Sequence, residues 1–295
     1  MKKIVWALIC LLTVACGKDS VDASFDEEMK VPVSVKVNDF TVSQTDFSGA
    51  QTRSTDITKY GDVKAITLAF FRNDGTEQYQ TTQIKDSGVK DEVFGTFNLT
   101  LPMGSYTMVV IGRGYYDGDA FTLTSPTMAA YSSDHVRETF IATKEVKITT
   151  NTPQEISAEL NRVVAKLCVQ STDGRVAEAT KVRMTFSAGG KDVNPTTGLA
   201  ITNTGLVNTV NINSGNGGVS KSVSYLFLAT DEQKMDVTIE TLNADGKVIF
   251  TKKVTNVPLK RNRVTTLSGK IYSADVTASS FTVSDGWLTG NEVSF

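Results

Sequence analysis

From Val31 onward the chain alternates. Val31, Val33, Val35 and Val37 stand among Pro32, Ser34 and Lys36, a period of two that predicts a strand with one buried face. Pro32 has no amide hydrogen to give to a ladder, so it marks a strand start or an edge position. Short runs rich in Val, Ile, Thr and aromatics predict further strands over residues 63–71, 96–101, 105–111, 145–150, 163–169, 181–187, 223–229, 235–242, 247–254 and 264–272. Asn73-Asp74-Gly75 and Asp245-Gly246 each separate two such runs, which is a strong short-range hairpin signal. Asp173-Gly174 and Pro102-Met103-Gly104 are weaker versions of it. No stretch carries apolar residues at i, i+3, i+4 and i+7 over three turns. The pattern therefore predicts an all-β chain. Roughly ten to fourteen strands exceed one seven-stranded sandwich, so two sandwiches are expected. Thr152-Pro153 breaks the pattern, which divides the chain into residues 31–158 and 159–295. Residues 191–218, rich in Asn, Thr and Gly, read as a long surface loop or loose hairpin.

Upstream of the alternation the pattern is different. Lys2 and Lys3 precede residues 4–14, apolar but for Thr13, and Ala15 is small, which is the order of a secretory signal peptide over residues 1–15. A run of about 11 residues at 1.5 Å each covers roughly 17 Å, too little for a hydrocarbon core of about 30 Å. Leu12-Thr13-Val14-Ala15-Cys16 resembles the lipobox of bacterial lipoproteins, with Leu12 one place further back than the leucine usual in that pattern. The resemblance implies lipidation of Cys16 and export. Several acyl chains on one residue give stable anchoring where one is marginal. Residues 16–30, polar and acidic, then read as a lipidated tether.

Composition removes several functions. Lys and Arg number 30 against 32 Asp and Glu, for a net charge of −2, so no basic surplus awaits a nucleic acid. Of three cysteines, Cys10 lies in the signal segment and Cys16 is the lipidation site. Cys168 is left alone as a small buried hydrophobe. The single histidine, His135, sits in a polar stretch without nucleophile-elbow glycines, so it reads as a solvated side chain. No phosphate-binding loop, CxxC pair or HExxH helix is present, and Gly112-Arg113-Gly114 reads as a turn leaving a strand. Acid pairs such as Asp117 with Asp119, or Glu27 with Glu28, are ordinary loop acids. No catalytic, cofactor or metal site is expected.

Three segments share one resemblance. Leu160-Asn161-Arg162-Val163-Val164-Ala165-Lys166-Leu167 is similar to the R-x-x-A-K-hydrophobic strand that opens the C-terminal domain of fimbrillins. The segment Asn262-Arg263-Val264-Thr265-Thr266-Leu267-Ser268-Gly269 is similar to their N-R-x-T-T-L-x-G strand. Thr52-Arg53-Ser54 follows the first strand and precedes a strand with an Asn-Asp-Gly turn. With the lipobox, the chain resembles the fimbrillin family of type V pilus subunits. The fold so implied is all-β, two tandem Greek-key (transthyretin-like) β-sandwich domains after a lipoprotein signal peptide.

The resemblance also implies an assembly route. An arginine-specific protease cuts after the first strand, here at Arg53, in what reads as a polar loop. Loss of that strand opens an apolar groove, and a strand from another subunit fills it. The implied partners are other pilus subunits and the outer membrane, reached through lipid on Cys16. The implied location is the cell surface or fimbrium. Phe281, Val283, Trp287, Leu288, Val293 and Phe295 give the tail apolar teeth for donation. Asp285-Gly286 equally allows an intact hairpin of the second domain. On its residues alone, the 160–167 segment reads as one strand with Arg162 and Lys166 on a charged outer face and Val163, Ala165 and Leu167 inward. The other function class open to the sequence is a surface glycan-binding lipoprotein with Tyr115-Tyr116 or Trp287 as a platform.

Overall fold

The computed structural model describes residues 29–46, 49–56, 62–88, 93–116, 120–212, 220–274 and 282–285. The first half contributes β1 (Lys30–Asp46), β2 (Gly49–Asp56), β3 (Ala65–Arg72), β4 (Glu77–Ile84) and β5 (Thr96–Pro102). These are followed by β6 (Gly104–Arg113), β7 (Phe121–Ser125), β8 (Met128–Tyr131), β9 (Thr139–Ile148) and β10 (Gln154–Arg162). The second half contributes β11 (Ala165–Ser171), β12 (Lys181–Phe186), β13 (Asp192–Asn194), β14 (Leu199–Ala200) and β15 (Val207–Asn211). Its later strands are β16 (Lys221–Leu226), β17 (Glu232–Leu242), β18 (Val248–Lys260), β19 (Val264–Gly269) and β20 (Thr282–Asp285). No helix occurs among the described residues, and the chain is all-β.

The first sandwich has two walls. One is β5-β1-β10, and the other is β9-β6-β3-β4. They join only where Asn161 and Arg162 pair with Ile141 and Phe140. Between the walls the β1 valines pack with Phe97, Leu101, Leu160, Leu68, Phe70, Met108 and Phe140. The Asn-Asp-Gly turn closes the β3–β4 hairpin, with Gly75 at φ 84°, where a side chain would be strained. The Pro-Met-Gly turn does otherwise. It leads from β5, paired to β1, into β6, paired to β3 and β9, so the chain changes walls there.

Strand β3 is apolar on both faces, and both are used. Ile66, Leu68 and Phe70 face the first core, while Ala69 and Phe71 join a second core that runs on into the other half of the chain. A strand buried on both faces reads as a continuous apolar run, which Ala65–Arg72 does. The second core also takes in Leu123, Ala129 and Tyr131 of β7 and β8, and Val193 of β13. These belong to a small sheet ordered β14-β13-β8-β7, built from both halves. Residues 191–212 are therefore not a surface loop. They carry β13, β14 and β15, with Val193 fully buried. Their polar composition hid this, because these short strands bury at most two side chains each.

The second sandwich packs β16-β11-β19-β20 against β15-β12-β17-β18. Leu167, Val169, Val182, Met184, Leu226, Val237, Ile239, Leu259 and Leu267 fill it. The Asp-Gly signal closes the β17–β18 hairpin, with Gly246 at φ 80°. Asp173-Gly174 closes none. Instead Asp173 accepts the amides of Ile271 and Tyr272, at 2.9 Å each, pinning the segment that follows β19.

Glu159, the expected start of the second domain, lies inside β10. The chain leaves the first sandwich after Arg162, whose partner in the ladder is still Phe140 of β9.

Candidate functional site

Strand β1 is the strand whose removal the expected assembly route requires, and its position decides what removing it does. From Val33 to Val37 it has a partner on each side. It runs parallel to β10, with Val33 opposite Gln154 and Val37 opposite Ala158. It runs antiparallel to β5, with Val31 opposite Leu101 and Val35 opposite Phe97. Pro32 therefore marks the strand's start and not a sheet edge: the parallel ladder begins one residue later, so no bond is lost for want of its amide hydrogen. Val31, Val33, Val35 and Val37 are 0%, 2%, 0% and 3% exposed. Burying one valine contributes about 1.5 kcal/mol or more, so four contribute about 6 kcal/mol before any ladder bond is counted. That is of the order of a whole domain's stability.

The strand β10 is also needed for the groove, and the pattern reading missed it. Ala158, Leu160 and Arg162 point inward from it at a spacing of two. That alternation in Ser157-Ala158-Glu159-Leu160-Asn161-Arg162 was the available signal, obscured because one inward tooth is an alanine and another an arginine. Without β1, the groove would have β5 and β10 as its edges and Leu68, Phe70 and Met108 among its floor residues.

Beyond Val37 the ladder shifts register, and β1 continues to Asp46 as one arm of a ribbon with β2. Arg53 lies in β2, opposite Val42. The expectation of an open polar loop is thus corrected: the backbone at Arg53 is paired. A protease needs an extended strand it can bind itself, so the ribbon must open before a cut at Arg53. Cys16, Glu27, Glu28, Asp117, Asp119, Phe281, Trp287, Leu288, Val293 and Phe295 lie outside the described residues. Of the tail, Thr282–Asp285 forms β20, an edge strand on this chain's own β19, with Val283 opposite Leu267.

The two segments that carry the fimbrillin resemblance meet. Strands β11 and β19 run parallel, with Lys166 opposite Val264 and Gly269 opposite Ser171. Just before them, the Asn262 amide donates to Val164 O at 2.9 Å, and Asn262 has φ 58°, a left-handed turn conformation that asparagine tolerates. The Asn262 side chain accepts from Arg162 Nη1 at 3.1 Å. Arg162 Nε lies 2.7 Å from Glu138 Oε1, with the two side chains 0% and 6% exposed. Its guanidinium lies 4.8 Å from the Phe140 ring centre. So the expected charged outer face does not exist. β10 ends at Arg162 and β11 begins at Ala165, so Arg162 and Lys166 belong to different strands, and Arg162 turns into the joint between the sandwiches. Lys166 lies against the Tyr225 ring at 5.6 Å. Val163, Ala165 and Leu167 are buried as the pattern required. These residues shape the fold.

The remaining candidates are local. His135 Nε2 lies 2.9 Å from Thr209 O and Nδ1 lies 3.4 Å from Arg137 Nη1, so the ring ties the β8–β9 connection to β15. Gly112 and Arg113 still belong to β6, and Arg113 is 4% exposed with its guanidinium 4.9 Å from the Phe121 ring. Cys168 is buried in β11, and that burial pushes its thiol above the ordinary range. Among the described residues no group of three or more His, Cys, Asp or Glu could hold a metal.

These features define a class: an all-β protein of two sandwiches, the first with its N-terminal strand set between two others. A solved structure of a candidate adhesin from Bacteroides ovatus shares this fold, at TM-score 0.53 and 12% identity over 89% of this chain and 97% of that one. By sequence, the chain belongs to a family of unknown function, DUF6562, whose model matches residues 23–284. Two more solved structures are similar at lower scores. A candidate cell adhesion protein from Bacteroides ovatus gives TM-score 0.48 at 13% identity, covering 88% of this chain and 99% of that one. The fimbrial anchor protein Mfa2 from Porphyromonas gingivalis gives 0.46 at 11% identity, covering 88% and 98%. No match was found among curated proteins.

Proposed function

We propose that the protein is a non-enzymatic structural subunit of a cell-surface pilus. In this reading it is exported, lipidated at Cys16 and carried to the outer membrane. A cut at Arg53 then releases β1, and a strand from a neighbouring subunit takes its place, building a fimbrium that supports adhesion. The observation that carries the reading is the place of β1. It is an inner strand with four buried valines, yet it is the first strand and is followed at once by the segment that holds Arg53. One cut therefore frees a whole core strand. The lost burial, about 6 kcal/mol from the valines alone, makes an emptied groove unstable and a replacement strand strongly favoured. The fimbrillin-like segments and the fold shared with a candidate adhesin support the same reading.

The tail is the proposed donor. Its strand β20 is short and at a sheet edge, so leaving β19 disturbs no core strand on its far side. If β20 stays on β19 and β1 is kept, the subunit retains its lipid and gives no strand, which is the role of an anchor. Brief trypsin treatment of the purified protein, followed by a non-denaturing gel, tests the scheme. Cleavage at Arg53 should be followed by a ladder of multimers. A product cut at Arg53 that stays monomeric refutes strand replacement, and resistance of Arg53 to the protease refutes the cut.

A further inference from the structure

The geometry points to a binding site for a single sugar ring, the terminal pyranose of a glycan, in a cavity where the two halves of the chain meet. The cavity has a volume of about 190 Å³. It is closed by the stretch after β6, the β8–β9 connection, and strands β15 and β16. Its polar and aromatic lining comes from Asp62, Tyr116, His135, Arg137, Glu138, Asn208 and Tyr225. No residue of β1, β5 or β10 takes part, so this inference stands apart from the assembly scheme.

Three observations carry it. The first is rigidity. Asp134 Oδ2 accepts the Val207 amide at 2.9 Å, Asp134 Oδ1 accepts from Lys191 Nζ at 3.0 Å, and His135 holds Thr209 O. The β8–β9 connection is thus fixed to β15, and a preformed site binds without an ordering cost. The second is the aromatic ring. Tyr116 is 64% exposed, and the Arg137 guanidinium lies 4.4 Å from its ring centre, which steadies a tyrosine that no core holds. An exposed, oriented tyrosine offers an apolar surface with a polar tip, matching the C–H face and hydroxyl rim of a pyranose.

The third observation is an unmet acceptor. Asn208 is 2% exposed and donates Nδ2 to Ser224 Oγ at 2.9 Å, while its Oδ1 has no hydrogen-bond partner among the described residues. A buried acceptor without a donor is costly, so a small turn of the Asn208 amide toward the cavity, where a ligand hydroxyl would meet it, is favoured on binding. Arg137 shares the lining with Asp62 and Glu138, and Glu138 is already paired with Arg162, so charges of both signs line the cavity, which suits a neutral ring and its hydroxyls more than an ionic ligand. The volume lies below the roughly 300–1,000 Å³ of sites that take drug-sized molecules, so the site reads one ring at a chain end.

The test uses methyl glycosides of galactose, glucose, mannose, fucose and N-acetylglucosamine, followed by saturation-transfer NMR on the purified exported chain. At least one should bind saturably, with Kd on the order of millimolar. Tyr116→Ala, an exposed change that leaves both cores intact, should weaken it at least tenfold. Met103→Ala, on the exposed turn between β5 and β6, should leave it unchanged. Asn208→Ala, checked for folding by circular dichroism, should also weaken it. The proposal is overturned if none of the five glycosides binds, if binding survives Tyr116→Ala, or if N-acetyltyrosinamide binds there more tightly than any glycoside, which would make the cavity a pocket for a peptide side chain.

Discussion

Arg162→Met isolates the buried ion pair at the joint between the sandwiches. The arginine side chain is fully buried and lies 2.7 Å from a glutamate that is 6% exposed. Removing it takes the Arg162 cation from the buried Glu138 carboxylate, and from Asn262 a donor at 3.1 Å. Breaking a buried pair from one side costs about 3–5 kcal/mol. With a urea slope of about 2 kcal/mol per molar, the midpoint should fall by about 1.5–2.5 M. Removing both charges has a different outcome. An apolar replacement of the whole pair is often neutral, so Arg162→Met with Glu138→Leu should recover most of the loss and lie within about 2 kcal/mol of the parent. The assay is urea unfolding followed by circular dichroism, on the parent, the two single variants and the double variant. A midpoint shift below about 0.3 M for Arg162→Met, or simple additivity in the double variant, would refute the argument that the pair holds the joint.

Four further outcomes follow from other positions. Val35→Ala, at a fully buried site in β1, should cost about 2–3 kcal/mol in the same urea assay, from two methyl groups and the cavity they leave. Gly205→Ala should cost roughly 3 kcal/mol or more by thermal melting, because Gly205 has φ 82° and a Cβ there would lie 2.0 Å from Phe186 O. Burial works to raise the Asp134 carboxyl, but hydrogen bonds from the Val207 amide and Lys191 outweigh it and hold the group below the ordinary aspartate value. A depressed folded value contributes stability above the unfolded pKa, lost as pH falls through the folded one, so melts should show a loss below about pH 4 that Asp134→Asn reduces. Cys168 should resist a thiol reagent at pH 8 in the folded protein and react once urea unfolds it, and fast reaction under native conditions would contradict its burial.

The local pattern determined much of this protein. The local pattern located β3, β5, β6, β11, β12, β16, β17 and β19 to within about three residues and the starts of β1 and β18, and two glycine turns closed the hairpins they marked. Those features depend on neighbours in sequence: side chains alternate faces along a strand, and a positive φ favours glycine. What only the tertiary structure decided is partnership. β1 pairs in parallel with a strand that begins at Gln154, and β5 pairs back to β1 although β6 follows it directly. No local rule sets such choices, because register between distant strands depends on which faces they bury together. Arg162 shows the same division. Its spacing from Lys166 read as one outer face, but the break at Val163 and Val164 turned it inward, where Glu138 and Asn262 awaited it from opposite directions in the chain. A charge can be buried only where a partner is brought to it, and whether that happens is a property of the fold.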